Sequence, residues 1–446
     1  MRKIHTIGIA AVGIIALVAG VCMLRFQKKE NIPPLLDRKG PISTTSEWRN
    51  TKKAIESLQT QIRQNPKDSK AKLWLALAYM QEARITGEHP YYYPAALALL
   101  DQILDDTSEE DTWHQQALVA KASVQLSLHH FTEALEIGEE MVKTSPPNAE
   151  MYGILCDAYV ELGHYEKAVE VVDKMVALKP DLRSYSRVSY LREIHGDLAG
   201  AIDAMELAVS AGFPGLEQTA WTRVTLGKLY EKRGDLAHAA MHYSMALEET
   251  PHYAFAVAGQ ARIAASKKNY KEALDLYAKA ATIIPEFSFT EEMAQVYQLL
   301  GEKQKAKDEA LRVVDMLEED AEAGHAVDLE LANLYATLLE DDDKALTYAE
   351  EAYEKRPDNI DVNRCLALVY YKKGDFAKAA AYAKAANRTK RQDPDLLMLS
   401  GLIGYKSGNK KEGIALMRQS LVKDPCQQDE LAMEAKKLMK ESVLSL

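Results

Sequence analysis

The chain has 446 residues, 47% hydrophobic and 27% charged, with 22 Gly and 15 Pro; this is the composition of an ordered chain, long enough for several domains or a repeat array. Acidic residues outnumber basic ones 66 to 55, a formal net charge of -11, and no chain-wide basic stripe is present to neutralise phosphates, so nucleic acid is not expected as a partner. The four cysteines, Cys22, Cys156, Cys365 and Cys426, are scattered without a CxxC pair, which argues against zinc-ribbon spacing, thioredoxin spacing and a disulfide framework.

At the N-terminus, Arg2 and Lys3 precede an uncharged run from Thr6 to Leu24 that Arg25, Lys28 and Lys29 close. Its apolar stretch, residues 7–24, just reaches the roughly 18 residues of a membrane span. Residues 1–26 are therefore predicted to be a membrane-targeting segment: a signal anchor, with a cleaved signal peptide as the alternative, although Val18-Ala19-Gly20 is a mediocre cleavage site. Ala19-Gly20-Val21-Cys22 resembles a lipoprotein box but has Ala for the expected Leu and Val before the Cys, which argues against lipidation. A short basic leader followed by an apolar run is how exported chains begin, so the bulk of the chain is expected outside the cytoplasm, periplasmic if anchored and secreted if cleaved. Residues 27–46 contain Pro33, Pro34, Gly40 and Pro41 and read as an extended linker between membrane and folded domain.

From Trp48 onward the periodicity is helical, with no convincing alternation of period two. Residues 47–68 are predicted to form an N-terminal capping helix, with Thr44 and Glu47 spaced as a capping box. Beyond it an Ala is followed twelve residues later by a Pro, as in Ala134/Pro146, Ala168/Pro180, Ala239/Pro251, Ala273/Pro285 and Ala345/Pro357. Upstream of such an Ala stands a small residue, then Tyr three positions on, then Gly four further: Gly227, Tyr230, Gly234; Ala294, Tyr297, Gly301; Ala367, Tyr370, Gly374. The unit is a pair of helices, A and B. Small residues let them approach closely, Gly ends the first, and Pro ends the second.

Prolines 146, 180 and 214 lie 34 residues apart, as do 251 and 285. Period and residue pattern together resemble the tetratricopeptide repeat family. The resemblance covers residues 69–427 as about ten repeats, starting near Ser69, Gln115, Ala149, Arg183, Ala220, Ala254, Phe287, His325, Ile360 and Pro394. It implies an all-α, right-handed superhelical solenoid of helix-turn-helix repeats. Residues 428–446, amphipathic with a polar free face, are expected to close it as a C-terminal capping helix.

No phosphate-binding loop, GxSxG elbow, HExxH helix or EF-hand appears, so no catalysis, cofactor or metal is expected. His238 and His242 have i, i+4 spacing without a general-base Glu between them, and Glu340 to Asp343 lacks the Gly and alternating ligands of a calcium loop; both read as solvated surface.

The family resemblance also implies that the first helix of each repeat lines a concave groove where partner proteins dock. Its ninth position carries Asp157, Lys228, Arg262, Gln295 and Asn333 in the central repeats, with Arg187, Trp221 and Phe255 nearby. These residues are expected to hold an extended or acidic segment of a partner protein across repeats four to seven. Arg187, Lys228 and Arg262 would pair its carboxylates, and Trp221 and Phe255 would supply anchor area. A plain solvated face, a small-molecule or glycan site, and a spacer that self-associates are the competing readings. The carboxylate-clamp function of some relatives is not assigned, because Leu329 stands where the Lys partner of Asn333 belongs. Thr86 to Pro94 lengthens the first A–B turn, and its Tyr91, Tyr92 and Tyr93 are either a recognition element or a cover for the solenoid edge.

Overall fold

The computed structural model describes residues 32–145, 147–424 and 429–444. The membrane-targeting segment expected over residues 1–26 lies outside them, and among the described residues no helix is long and apolar enough to cross a membrane. These residues form 22 α-helices and no strand. Helix α1 (Ser46–Gln64) stands singly, with Thr45, one residue later than expected, as the N-cap that accepts from the Trp48 N–H. Antiparallel pairs follow: α2 (Ser69–Thr86) with α3 (His89–Asp106), α4 (Thr112–Ser127) with α5 (Phe131–Thr144), α6 (Ala149–Glu161) with α7 (Tyr165–Leu178), α8 (Leu182–Ile194) with α9 (Leu198–Ser210), and α10 (Glu217–Lys232) with α11 (Leu236–Glu249). The series continues with α12 (Ala254–Ser266) and α13 (Tyr270–Ile283), α14 (Phe287–Leu299) and α15 (Lys303–Glu322), α16 (Asp328–Thr337) and α17 (Asp342–Lys355), α18 (Ile360–Lys372) and α19 (Phe376–Ala386), and α20 (Pro394–Lys406) and α21 (Lys410–Lys423), before a last single helix, α22 (Glu430–Leu444).

Gly234 and Asp235 show how a pair is made. Gly234 takes a φ of +80°, which a Cβ would disfavour, and its N–H bonds the Glu231 carbonyl to end α10. Asp235 then caps α11 by accepting from the His238 N–H. The same Gly-Asp step joins α8 to α9 and α18 to α19. Inside each pair the recurring Ala is fully buried, as at Ala168, Ala239, Ala273 and Ala345. Tyr79, Tyr243 and Tyr277 are buried between layers, each ring removing on the order of 150–250 Å² from water.

The pairs stack into a right-handed superhelix whose successive turns touch. The A–B turns of the early repeats meet the inter-repeat junctions of later ones along a seam. Ala326 N–H donates to the Leu128 carbonyl at 3.0 Å, and the His129 Nδ1 lies 3.0 Å from the Ala326 carbonyl. Ile360 N–H donates to the Tyr165 hydroxyl at 2.9 Å, Asn359 Nδ2 donates to the Glu161 carbonyl at 2.9 Å, and Arg356 reaches the Glu161 carboxylate at 3.0 Å. Arg388 bonds the Gly163 carbonyl and lies over the Tyr165 ring, while Arg391 sits 3.7 Å from Glu193. The His129, Asn359 and Ile360 bonds span 195 to 198 positions, slightly less than six units of 34. His129 itself adopts a φ of +61°, a conformation that costs a non-glycine residue about 1 kcal/mol and here aims its ring across the seam.

The Pro-containing linker is not a free tether over its described part. Ile32, Leu35 and Leu36 pack on the first repeat. Pro33 offers its carbonyl to the Tyr79 hydroxyl at 2.6 Å and to Gln59 at 3.2 Å, and Leu36 N–H donates to the Tyr92 hydroxyl. Arg38 is buried against Glu82 and Glu47 and stacks on Trp48. A 3-10 turn, Gly40–Thr44, then carries Ile42 onto the apolar core of α12 and α13, one superhelical turn away. Prolines suit such an arm because it is extended and its carbonyls are met by side chains.

Candidate functional site: the inner wall of the superhelix

Successive even-numbered helices, such as α6 with α8 and α10 with α12, touch one another, whereas the odd-numbered ones splay apart. The even helices therefore line the inside of the curve, and the seam closes its flank over the first four repeats.

Two of the three expected carboxylate-binding cations are already engaged. Arg187 holds Asp157 with two bonds, at 2.8 and 2.5 Å, between α8 and α6. Arg262 is a hub: its Nε lies 3.1 Å from Glu231, its Nη1 3.3 Å from Glu292, and its Nη2 donates to the Tyr243 hydroxyl at 3.1 Å. Burial works against its charge, yet Glu292 and Glu231 hold the guanidinium well above its ordinary range. These arginines tie neighbouring repeats together, which corrects the expectation that they wait for a partner's carboxylates. Each lies 30 or 31 positions from its acid on the adjacent repeat, the separation that brings two inner helices into register.

Lys228 differs. It is exposed to the interior and makes no ion pair among the described residues. Burial by the surrounding wall, then Arg262, lowers its pKa from the ordinary lysine value. Trp221 on the same helix is 46% exposed and Tyr190 on α8 is 38% exposed; Gln295 on α14 is exposed as well. None of these four side chains has a hydrogen-bond partner among the described residues. Phe255, expected to stand free as an anchor, is half-buried and packs edge-on against Phe289, 5.3 Å between centroids, against the core of the stack. Asn333 turns its Nδ2 back to the Leu329 carbonyl of its own helix.

Tyr91, Tyr92 and Tyr93 do not form a recognition loop. Helix α2 runs to Thr86, Gly87 turns the chain at φ +73°, and α3 begins at His89 with Pro90 in its first turn. Tyr92 and Tyr93 are buried, and the Tyr91 hydroxyl donates to the Pro34 carbonyl at 2.6 Å. The rings cover the solenoid edge and seat the N-terminal arm.

The wall also holds strained carboxylates. Burial pushes Glu161 up to about 7 despite Arg356, and burial together with Glu292 and Glu330 pushes Glu291 up to about 7. Among the described residues no group of three or more His, Cys, Asp or Glu is placed to hold a metal ion. His238 bonds Asp235, and His242 is buried and stacked on Tyr230.

Comparison with known families matches two models described as tetratricopeptide repeat, one over residues 125–192 and again over 339–403, the other over 224–286. The chain carries tetratricopeptide repeats. No curated protein matches this tetratricopeptide repeat chain. Among solved structures it is similar to a thermophilic tetratricopeptide repeat protein of Thermus thermophilus, at 25% identity over 44% of this chain and 97% of that one, with a TM-score of 0.37. A tetratricopeptide repeat protein of Parabacteroides merdae aligns at 18% identity over 58% of this chain and 98% of its own, TM-score 0.34. Human IFIT1, solved as a dimer with PPP-AAAA, aligns at 15% identity over 84% and 87%, TM-score 0.46.

Within this tetratricopeptide repeat array the sequence misses Tyr190. The fourth repeat begins at Leu182, one residue before the expected Arg183, and the slip moves Tyr190 onto the inner face. The signal is Ser189, buried, with its hydroxyl on the Ala201 carbonyl at 2.6 Å. It stands twelve positions before Ala201, as Cys156 does before Ala168 and Gly227 before Ala239. Serine takes the small position there.

Proposed function

We propose that this tetratricopeptide repeat protein is an interaction scaffold that holds an extended segment of a partner protein against the inner wall of repeats four to seven. The observation that carries the reading is the set Tyr190, Trp221, Lys228 and Gln295: accessible, without internal hydrogen-bond or ion-pair partners among the described residues, on a wall where Arg187 and Arg262 are already paired with Asp157, Glu231 and Glu292. With the arginines of the wall already engaged, these four are left to meet a ligand, with two aromatic rings for contact area and one partly desolvated cation for an acidic or carbonyl group. The segment is extended because the inner helices leave a narrow, curved surface whose flank is closed by the seam.

Attachment to a membrane through residues 7–24, with the solenoid outside the cytoplasm, belongs to the same proposal and is supported by the apolar run and its flanking cations.

A photo-crosslinking residue placed at Tyr190, Lys228 or Gln295 in the intact protein in cells tests the reading. One partner captured from all three positions, and lost in the Trp221→Ala/Lys228→Glu variant, supports it. Capture that persists unchanged in that variant removes the inner wall as the binding surface.

A further inference from the structure

We propose that residues 32–45 are a clasp that sets how often the superhelix opens along its seam, so that whatever occupies the channel is held by enclosure as well as by contact. The enclosure rests on the inner wall being the binding surface; the clasp itself does not.

The arm joins two parts of the molecule that the repeat chain brings together only after a full superhelical turn. Its first half is fixed to repeat one: Pro33 through Tyr79 and Gln59, Pro34 through Tyr91, Leu36 through Tyr92, and Arg38 through Glu82 and Glu47. Its second half reaches repeat six, where Ile42 packs on the core of α12 and α13 and a Cβ at Gly40 would lie 3.6 Å from the Thr282 carbonyl. Close by, α3 contacts α15, and a Cβ at Gly87 would lie 3.2 Å from the Pro285 ring. The arm therefore stands at the N-terminal end of the same line of contacts that continues through Leu128–Ala326, Tyr165–Ile360 and Glu193–Arg391.

These seam contacts are chiefly hydrogen bonds and ion pairs between turns and junctions, each exchangeable with water at modest net cost. Ile42 is the apolar member contributed by the arm. Further along, Ile360 is buried across the seam with Tyr165 and Leu191; a seam so fastened opens from its end once the fastening there is lost.

Two backbone amides report on opening, because their acceptors lie across the seam: Ala326 N–H on the Leu128 carbonyl and Ile360 N–H on the Tyr165 hydroxyl. Hydrogen exchange of the full chain is compared with Ile42→Asp, which spares every contact of the arm with repeat one. Exchange at both amides is expected to rise about tenfold, the scale set by losing the burial of part of an isoleucine, with unchanged protection inside α7 and α11 and unchanged helical circular dichroism. Unaltered exchange at Ala326 and Ile360, or faster exchange confined to repeat one, overturns the clasp and makes the arm a simple end cap.

A second measurement reads enclosure directly. Gln295→Cys, in a background with Cys22→Ser and Cys426→Ser, is reacted with N-ethylmaleimide and with a polyethylene glycol maleimide; Cys156 and Cys365 are buried. The large reagent is expected to lag in the parent and to gain on the small one in Ile42→Asp. Equal reactivity in the parent overturns the enclosure. Failure of partner capture at Lys228 with these two results intact would remove the binding surface and leave the clasp standing.

Discussion

Arg38 grips Glu82 across 44 positions of sequence, with Nε at 2.9 Å and Nη2 at 2.6 Å from the two carboxylate oxygens. Glu82 is fully buried, and Arg38 meets both of its carboxylate oxygens. Arg38→Ala is expected to destabilise the protein by about 3 kcal/mol, because it leaves a buried carboxylate without a partner. Equilibrium urea unfolding checks it, and a loss under about 1 kcal/mol would show that the arm adds little to repeat one.

Tyr243 occupies a slot that two glycines leave open. The ring lies 2.6 Å from where a Cβ at Gly259 would fall and closer still to one at Gly227, so Gly259→Ala forces the ring out and breaks its bond to Arg262. A cost of about 1–3 kcal/mol is expected for overpacking a filled site, read as a drop in the midpoint of thermal unfolding.

Lys228 and Arg187 should separate function from support. Lys228→Met removes an unpaired cation and is expected to change stability by less than about 0.5 kcal/mol. Arg187→Met strands Asp157 and costs about 1 kcal/mol, reduced from a fully buried pair because water still reaches both groups. Equal losses in a denaturant series would show that Lys228 has a structural role after all.

Glu291 gives the array an unusual pH dependence. Its folded value, about 7, is raised above the ordinary 4.5. Between these values the folded state keeps a proton that the unfolded chain has lost, so stability falls as pH rises through this window. Glu291→Gln is expected to be more stable than the parent at about pH 8, by on the order of 1–2 kcal/mol after solvent screening, and no different near pH 4. Thermal melts at the two pH values test this; an advantage that persists at the acidic end would assign the effect to packing.

The repeat can be read from the sequence because close helix approach admits few residue types, and their spacing is local: Gly227 to Ala239, Ala239 to Pro251. The inner wall is only half legible. Which residues point inward follows from position within the repeat, and Tyr190 escapes only through a serine in the small position of a repeat one residue out of frame. That Arg187 and Arg262 are already paired depends on acids 30 or 31 residues away, a regularity that the pairs Asp157/Arg187 and Glu231/Arg262 reveal once the helices are in register. The arm misleads because extended proline-rich backbone has the same composition whether its carbonyls meet water or, as at Pro33 and Pro34, tyrosine hydroxyls. The seam leaves no local pattern at all, since its partners at Tyr165 and Ile360 are 195 residues apart.

Stacked repeats ordinarily behave as a one-dimensional chain in which each unit is coupled only to the next, so that ends fray and the middle melts in steps. Contacts such as Tyr165 to Ile360 turn that line into a cylinder, giving the third repeat a thermodynamic neighbour in the ninth. Damage to a late repeat is then felt at the beginning of the molecule, and loss of order along the array becomes more nearly all-or-none. The same long-range contacts must form late in folding, after the intervening repeats exist to bring them together.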